Sequence, residues 1–169
     1  METIHFKNTP VHTYGNLPIT GEKCPYFHLT KADLTPVTTT DFTGKRILLN
    51  IFPSLDTSTC AMSVRQFNKM AASYSDVTVI AISADLPFAA SRFCTTEHIE
   101  HVITASTFRS PEFGRQYGVE MIDGPLQGLM ARAVFVIDEQ HNIIYRELVN
   151  EITDEPNYKA ALDALSIHD

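Results

Sequence analysis

The sequence predicts an α/β fold: a mixed central β-sheet flanked by helices, with a β-hairpin at the N-terminus. Three observations carry this. Two nearly unbroken apolar runs, Arg46-Ile47-Leu48-Leu49-Asn50-Ile51-Phe52 and Val77-Thr78-Val79-Ile80-Ala81-Ile82-Ser83, have the character of strands buried on both faces. Between them Val64, Phe67, Met70 and Ala71 fall on one face of an amphipathic helix. A third run, Met130-Ala131-Arg132-Ala133-Val134-Phe135-Val136-Ile137, is followed by a polar turn and a further strand-like stretch. A chain of 169 residues has room for one ordinary domain, expected to span 1–169.

Taken in order, Ile4, Phe6 and Val11 alternate around Asn8-Thr9-Pro10, which predicts the small hairpin. Residues 18–25 read as a loop, Phe27 and Leu29 as a half-exposed strand, and Asp33-Leu34-Thr35-Pro36 and Asp41-Phe42-Thr43-Gly44-Lys45 as turns. The strand over 46–52 leads to a helix from about 60 to 73 and a strand over 77–83. At this length the unit is βαβ, so its two strands should be parallel. Asp85 is placed to cap a second helix with Pro87 in its first turn, and Phe88, Ala89, Arg92 and Phe93 carry that helix to Cys94. Val102-Ile103-Thr104-Ala105 is a short strand, and residues 111–117 form a short helix closed by Gly118. The loop over 123–129 delivers the buried run at 130–137. Asp138-Glu139-Gln140-His141-Asn142 turns it back into an antiparallel strand over 143–149. A terminal helix presents Tyr158, Ala161, Leu162 and Leu165 on one face. The order βαβαβ followed by ββα is that of a thioredoxin-like fold with a hairpin added.

Composition narrows the function classes. A net charge of −7 and a pI near 5.4, with charges spread along the chain, argue against nucleic acid or an anionic membrane surface as partner. No apolar run approaches the roughly 20 residues that span a bilayer, and the first residues lack the basic and apolar segments of a secretion signal. The expected location is the cytoplasm. Three cysteines, Cys24, Cys60 and Cys94, are too few for a disulfide scaffold. None has a ligand partner at close metal-binding spacing, and His98 and His101 read as solvated surface residues.

The chemistry concentrates in Pro53-Ser54-Leu55-Asp56-Thr57-Ser58-Thr59-Cys60. This turn opens on proline, carries hydroxyl residues suited to capping a helix, and ends on a cysteine at the helix start. There the unpaired backbone N–H groups and the positive end of the dipole favour a thiolate. Thr57 can place its hydroxyl near that sulfur, or only cap the helix; Thr59 reads as a cap. Pro53 removes a backbone donor and stiffens the turn. Arg132, a permanent charge in an apolar run, must reach solvent or face an anion. Met130, beside it, reads as a packing residue or as a wall of the same site.

These residues resemble the active-site motif of the peroxiredoxins, Pro53-x-x-x-Thr57-x-x-Cys60. The similarity extends through Phe52-Pro53-Ser54-Leu55-Asp56-Thr57, Ser63-Val64-Arg65-x-Phe67-Asn68, Ile82-Ser83-Ala84-Asp85-Leu86-Pro87-Phe88-Ala89, Ser91-Arg92-Phe93-Cys94 and Ala131-Arg132-Ala133-Val134. On these motifs the chain resembles the thiol peroxidase subfamily, the bacterial atypical two-cysteine type, over nearly its full length. The resemblance implies a peroxidase acting on hydrogen peroxide or organic hydroperoxides. Cys60 would be the peroxidatic cysteine and Cys94 the resolving one, joined in an intrachain disulfide that thioredoxin reduces. Thr57 would hydrogen-bond the thiolate and the peroxide oxygen, Arg132 would stabilise the thiolate and the breaking O–O bond, and Pro53 would shield the sulfur. No metal and no organic cofactor is implied. A homodimer is, with the loop over 111–117 and the region near Cys60 at the interface. Cys24 matches no family cysteine. The rival reading is a redox sensor or holdase driven by oxidation of the same cysteine. A thiol–disulfide oxidoreductase would place its two cysteines as Cys-x-x-Cys, which this chain lacks.

Overall fold

The computed structural model describes residues 1–166. The N-terminal hairpin forms as expected, β1 (Thr3–Phe6) pairing antiparallel with β2 (Thr9–His12). Seven further strands build one mixed sheet: β3 (His28–Lys31), β4 (Pro36–Thr38), β5 (Arg46–Ile51), β6 (Val77–Ser83), β7 (Val102–Ser106), β8 (Ala133–Ile137) and β9 (Ile143–Leu148). Their spatial order is β4-β3-β7-β6-β5-β8-β9. β5, β6 and β7 are parallel to one another, and the flanking pairs are antiparallel. The helices are α1 (Ser58–Ala71), α2 (Pro87–Glu97), α3 (Glu112–Gln116) and α4 (Tyr158–Ser166).

The period of two along β5 divides the core. Ile47, Leu49 and Ile51 face a cluster shared with the hairpin and with Phe113 and Tyr117 at α3. Leu48 faces the opposite cluster, built from Val64 and Phe67 of α1, Ala90 of α2, and Ala161 and Leu165 of α4. The continuous apolar runs of the central strands follow from this two-sided cover. At the start of β5, Arg46 is 1% exposed; it donates to the Leu165 carbonyl and pairs with Asp76, fastening the end of α4 to the sheet. Among the described residues no helix is long and apolar enough to cross a membrane.

Four local expectations are corrected. α1 begins two residues earlier than its apolar face suggests, because Thr57 is its N-cap, so Cys60 is the third helical residue. Thr59 is therefore inside the helix and caps nothing; its hydroxyl donates to the Thr153 carbonyl at 3.1 Å. Asp85 does not cap α2, which starts after Leu86 with no side-chain cap; its carboxylate turns instead to the 53–57 turn. β8 begins at Ala133, so Arg132 stands just before the strand and not within it.

Two backbone positions mark ends of helices. α2 closes on His98 in the left-handed region (φ 55°), a conformation that costs a non-glycine residue about 1 kcal/mol or more. Gly118, also left-handed at φ 67°, follows α3 where a Cβ would stand 2.4 Å from the Asn16 carbonyl oxygen. Gly118→Ala would meet both the backbone strain and that backbone clash, and should destabilise the fold by roughly 2–4 kcal/mol. Urea unfolding should show a lower midpoint with an unchanged m-value.

Candidate active site

Each side chain of the site is set by a different element. The turn over 53–57 leaves the end of β5, and Thr57 closes it by accepting a hydrogen bond from Cys60 N at 3.3 Å. The Thr57 hydroxyl donates to the Ser54 carbonyl at 3.1 Å, so both of its bonds run to backbone groups. Cys60, fully buried, is seated from below by the sheet: Asn50 Nδ2 of β5 donates to Ser63 Oγ (3.1 Å), which donates to the Cys60 carbonyl (2.8 Å).

Arg132 reaches this sulfur from the other side. Its guanidinium is 1% exposed, and Nη2 donates to Cys60 Sγ at 3.3 Å while Nε donates to the Ile152 carbonyl at 2.9 Å. Nη1 is buried and has no hydrogen-bond partner among the described residues. A guanidinium so fully withdrawn from water requires an anionic or strongly polar neighbour, and a thiolate meets that requirement. A cleft of about 250 Å³ opens at this point, walled by Pro53, Thr57 and Arg132 and on its apolar side by Phe6, Leu126 and Ile152.

The two remaining cysteines lie in other surroundings. Cys94 on α2 is half-buried, with Sγ 3.7 Å from Thr104 Oγ1, and burial pushes its thiol up. Both it and Cys60 are free thiols in this structure. Cys24 is buried beside Tyr117, and burial pushes its thiol up as well. His98 and His101 are exposed. The structure thus brings Pro53, Thr57 and Arg132 to one cleft, with Cys60 buried behind it against Arg132 and Thr57, and leaves Cys94 and Cys24 outside it. Met130 does not join them: it packs toward α3, where a Cβ on Gly114 would meet its sulfur at 2.8 Å.

Several contributors were not found from the residues alone. Asn50 left a signal, a polar side chain in the middle of an apolar strand. Ile152 acts through its carbonyl, which no side-chain pattern reveals. Glu151 ties the site to the N-terminal hairpin: its carboxylate accepts from Asn8 N (2.8 Å), Thr153 N (3.2 Å), Thr153 Oγ1 (3.0 Å) and Lys7 N (3.2 Å). The segment over 150–152 is also bonded to β1, through His5 N to the Asn150 carbonyl and Ile152 N to the His5 carbonyl.

Residues 19–162 match the Redoxin family. The chain is 50% identical to a protein named thiol peroxidase from Mycobacterium bovis, over 98% of this chain and 99% of that one. Its backbone is similar to the crystal structure of a peroxiredoxin-like protein from Aquifex aeolicus, with a TM-score of 0.93 and 35% identity, covering 98% and 96% of the two chains. A thiol peroxidase from Chromobacterium violaceum shares the fold at a TM-score of 0.91 and 20% identity, over 98% and 96%.

The hydrogen bonds on Glu151, led by that from Asn8, hold its carboxyl at about 2 against an ordinary value of 4.5. A depressed folded-state pKa stabilises the fold above the ordinary value, and the contribution disappears as pH falls through about 2. The amide resonances of Lys7 and Asn8 should therefore titrate with a midpoint near 2 and not near 4.5. Glu151→Gln should abolish that step.

Proposed function

The chain belongs to the redoxin family and, within it, to the thiol peroxidases, and from that premise we propose that Cys60 is its peroxidatic cysteine and Cys94 its resolving cysteine. The observation that carries the assignment is the Arg132 guanidinium, which places one N–H on Cys60 Sγ and keeps a second, unpartnered N–H buried beside the cleft.

In this reading the Cys60 thiolate attacks the terminal oxygen of a hydroperoxide. The S–O bond forms as the O–O bond breaks, the leaving alkoxide or hydroxide takes a proton, and Cys60 becomes a sulfenic acid. The Nη1 donor of Arg132 is available to the oxygen on which charge develops, and Nη2 holds the attacking sulfur. Pro53 keeps water from the sulfur, and the Thr57 hydroxyl turns from the Ser54 carbonyl to the bound peroxide. Cys94 Sγ then attacks the sulfenic sulfur, hydroxide leaves as water, and a Cys60–Cys94 disulfide results. Dithiol exchange with thioredoxin returns both thiols.

The second step requires motion. A disulfide needs Cα atoms within roughly 7 Å, and the two sulfurs here face different partners, Arg132 and Thr104. In the proposed cycle the start of α1 and the end of α2 unwind to bring the two cysteines together. The direct ion pair between these helices, Arg65–Glu97 at 3.2 Å, is a partly exposed one worth about 1 kcal/mol or less, so it offers little resistance. A homodimer in the cytoplasm completes the proposal. Leu86, Phe88 and Phe108 are 52%, 69% and 44% exposed on the segments that leave the same end of the adjacent parallel strands β6 and β7. A second copy packed near residues 111–117 and the site would cover such apolar surface.

Peptide mapping after one equivalent of hydroperoxide without reductant should find Cys60 linked to Cys94 within one chain, with Cys24 free. Sulfinic acid on Cys60 with Cys94 unmodified would rule out the resolving role. Arg132→Met should slow the reaction with hydroperoxide by about 10²–10³-fold in stopped-flow kinetics; a wild-type rate would remove Arg132 from the mechanism.

A further inference from the structure

Asp85 lies between β6 and α2, beyond the residues to which the reaction is assigned. We propose that it is a positioning residue for the peroxide step, holding the 53–57 turn and, through Ser54, fixing the backbone position from which the Thr57 hydroxyl reaches the peroxide. The inference rests on the reading of Cys60 as the reacting thiol.

The bonds form an unbroken series from rigid strand to reacting helix. Ser83, the last residue of β6 and 3% exposed, donates through Oγ to Asp85 Oδ2 at 2.6 Å and accepts from Asp85 N at 3.3 Å. This fixes the carboxylate. The carboxylate accepts from Leu55 N at 2.7 Å on Oδ2 and from Ser54 Oγ at 2.8 Å on Oδ1. Ser54 Oγ in turn accepts from Asp56 N at 3.1 Å, so one side chain satisfies donors along the whole turn. The Ser54 carbonyl then accepts from Thr57 N (3.2 Å) and Thr57 Oγ1 (3.1 Å), and Thr57 Oγ1 accepts from Cys60 N (3.3 Å).

The arrangement has a local cost. Aspartate is among the best N-caps, and Asp85 stands two residues before α2. The chain nevertheless directs it across to the neighbouring turn, and α2 begins with no side-chain cap at all. Without Asp85, Leu55 N and Ser54 Oγ would need new partners, and the turn that carries Pro53 and Thr57 would lose its side-chain anchor to β6. Arg132, by contrast, reaches Cys60 from the start of β8 through Ile152, a route that does not pass through Asp85.

This separation of routes defines the test. Asp85→Ala should lower the second-order rate constant with hydroperoxide by about tenfold or more, the scale expected when reacting groups are misplaced by a fraction of an ångström to an ångström. Alkylation of Cys60 by iodoacetamide, which needs the thiolate but no oriented peroxide, should keep its wild-type pH profile. Asp85→Asn, which retains one acceptor oxygen, should recover part of the peroxide rate. A folded Asp85→Ala protein with the wild-type peroxide rate overturns the proposal, as does a parallel fall in alkylation. Should Asp85→Ala fail to fold, Ser54→Ala removes only the middle hydroxyl, and a wild-type peroxide rate in that variant is equally fatal. Peroxidase turnover surviving in Cys60→Ser would instead refute the assignment of Cys60 itself.

Discussion

A cation and a sulfur, both withdrawn from water, meet at 3.3 Å in this protein, and the surrounding architecture serves to make that meeting tolerable. Burying a guanidinium costs several kcal/mol unless its donors are occupied. Arg132 meets that condition for two of its nitrogens, with a carbonyl and a sulfur drawn from two separate segments, and leaves Nη1 without a partner among the described residues. The carbonyl belongs to Ile152, whose loop is fastened to the hairpin through Glu151 and His5. The thiol belongs to a helix whose first turn hangs from Asn50 by way of Ser63. The N-terminal hairpin, remote in sequence, is thus part of what holds the arginine in place.

The same architecture treats the two cysteines unequally. Cys60 is enclosed by Thr57, Ser63 and Arg132, on a helix tied at its start to β5, β6 and the 150–154 segment. Cys94 has a weak contact to Thr104 and sits one turn from the end of a helix with no side-chain cap. A nucleophile that must present itself accurately gains from such enclosure. A partner that must travel to it gains from the lack of it. Close enclosure at one cysteine and fewer side-chain partners at the other fit the proposed cycle, in which the start of α1 gives way only after Cys60 has reacted.

Much of this was legible in the amino-acid sequence, for definable reasons. The central strands declared themselves because both of their faces are covered, and α1 because its apolar stripe is clean. Cys60, Thr57 and Arg132 stood out because a cysteine at a helix start and a charge in an apolar run are chemically anomalous. What escaped was tertiary. Asp85 has the local credentials of a cap, and its true partners, Ser54 and Leu55, lie about thirty residues earlier in the chain. Glu151 finds its partners at Lys7 and Asn8, nearly the full length of the chain away. Met130 lies two residues before Arg132, yet it packs against Gly114 of α3, a contact set by tertiary docking. The antiparallel docking of β3 on β7 was equally invisible, since no local pattern encodes which edge a short strand will choose.

His98 carries one more implication. It ends α2 in a backbone conformation that an L-residue adopts at a cost, and both its own N–H and that of Ile99 close onto the Cys94 carbonyl. The helical turn that carries the proposed resolving cysteine is thus secured by a joint already under backbone tension. Glycine there would relieve that tension and a β-branched residue would increase it, in neither case touching the site. In the proposed cycle, the ease with which this turn opens, and with it the exposure of oxidised Cys60 to further oxidation, would be set in part from one surface position. Descent with modification could retune this protein to a harsher or milder oxidant load while its chemistry stayed the same.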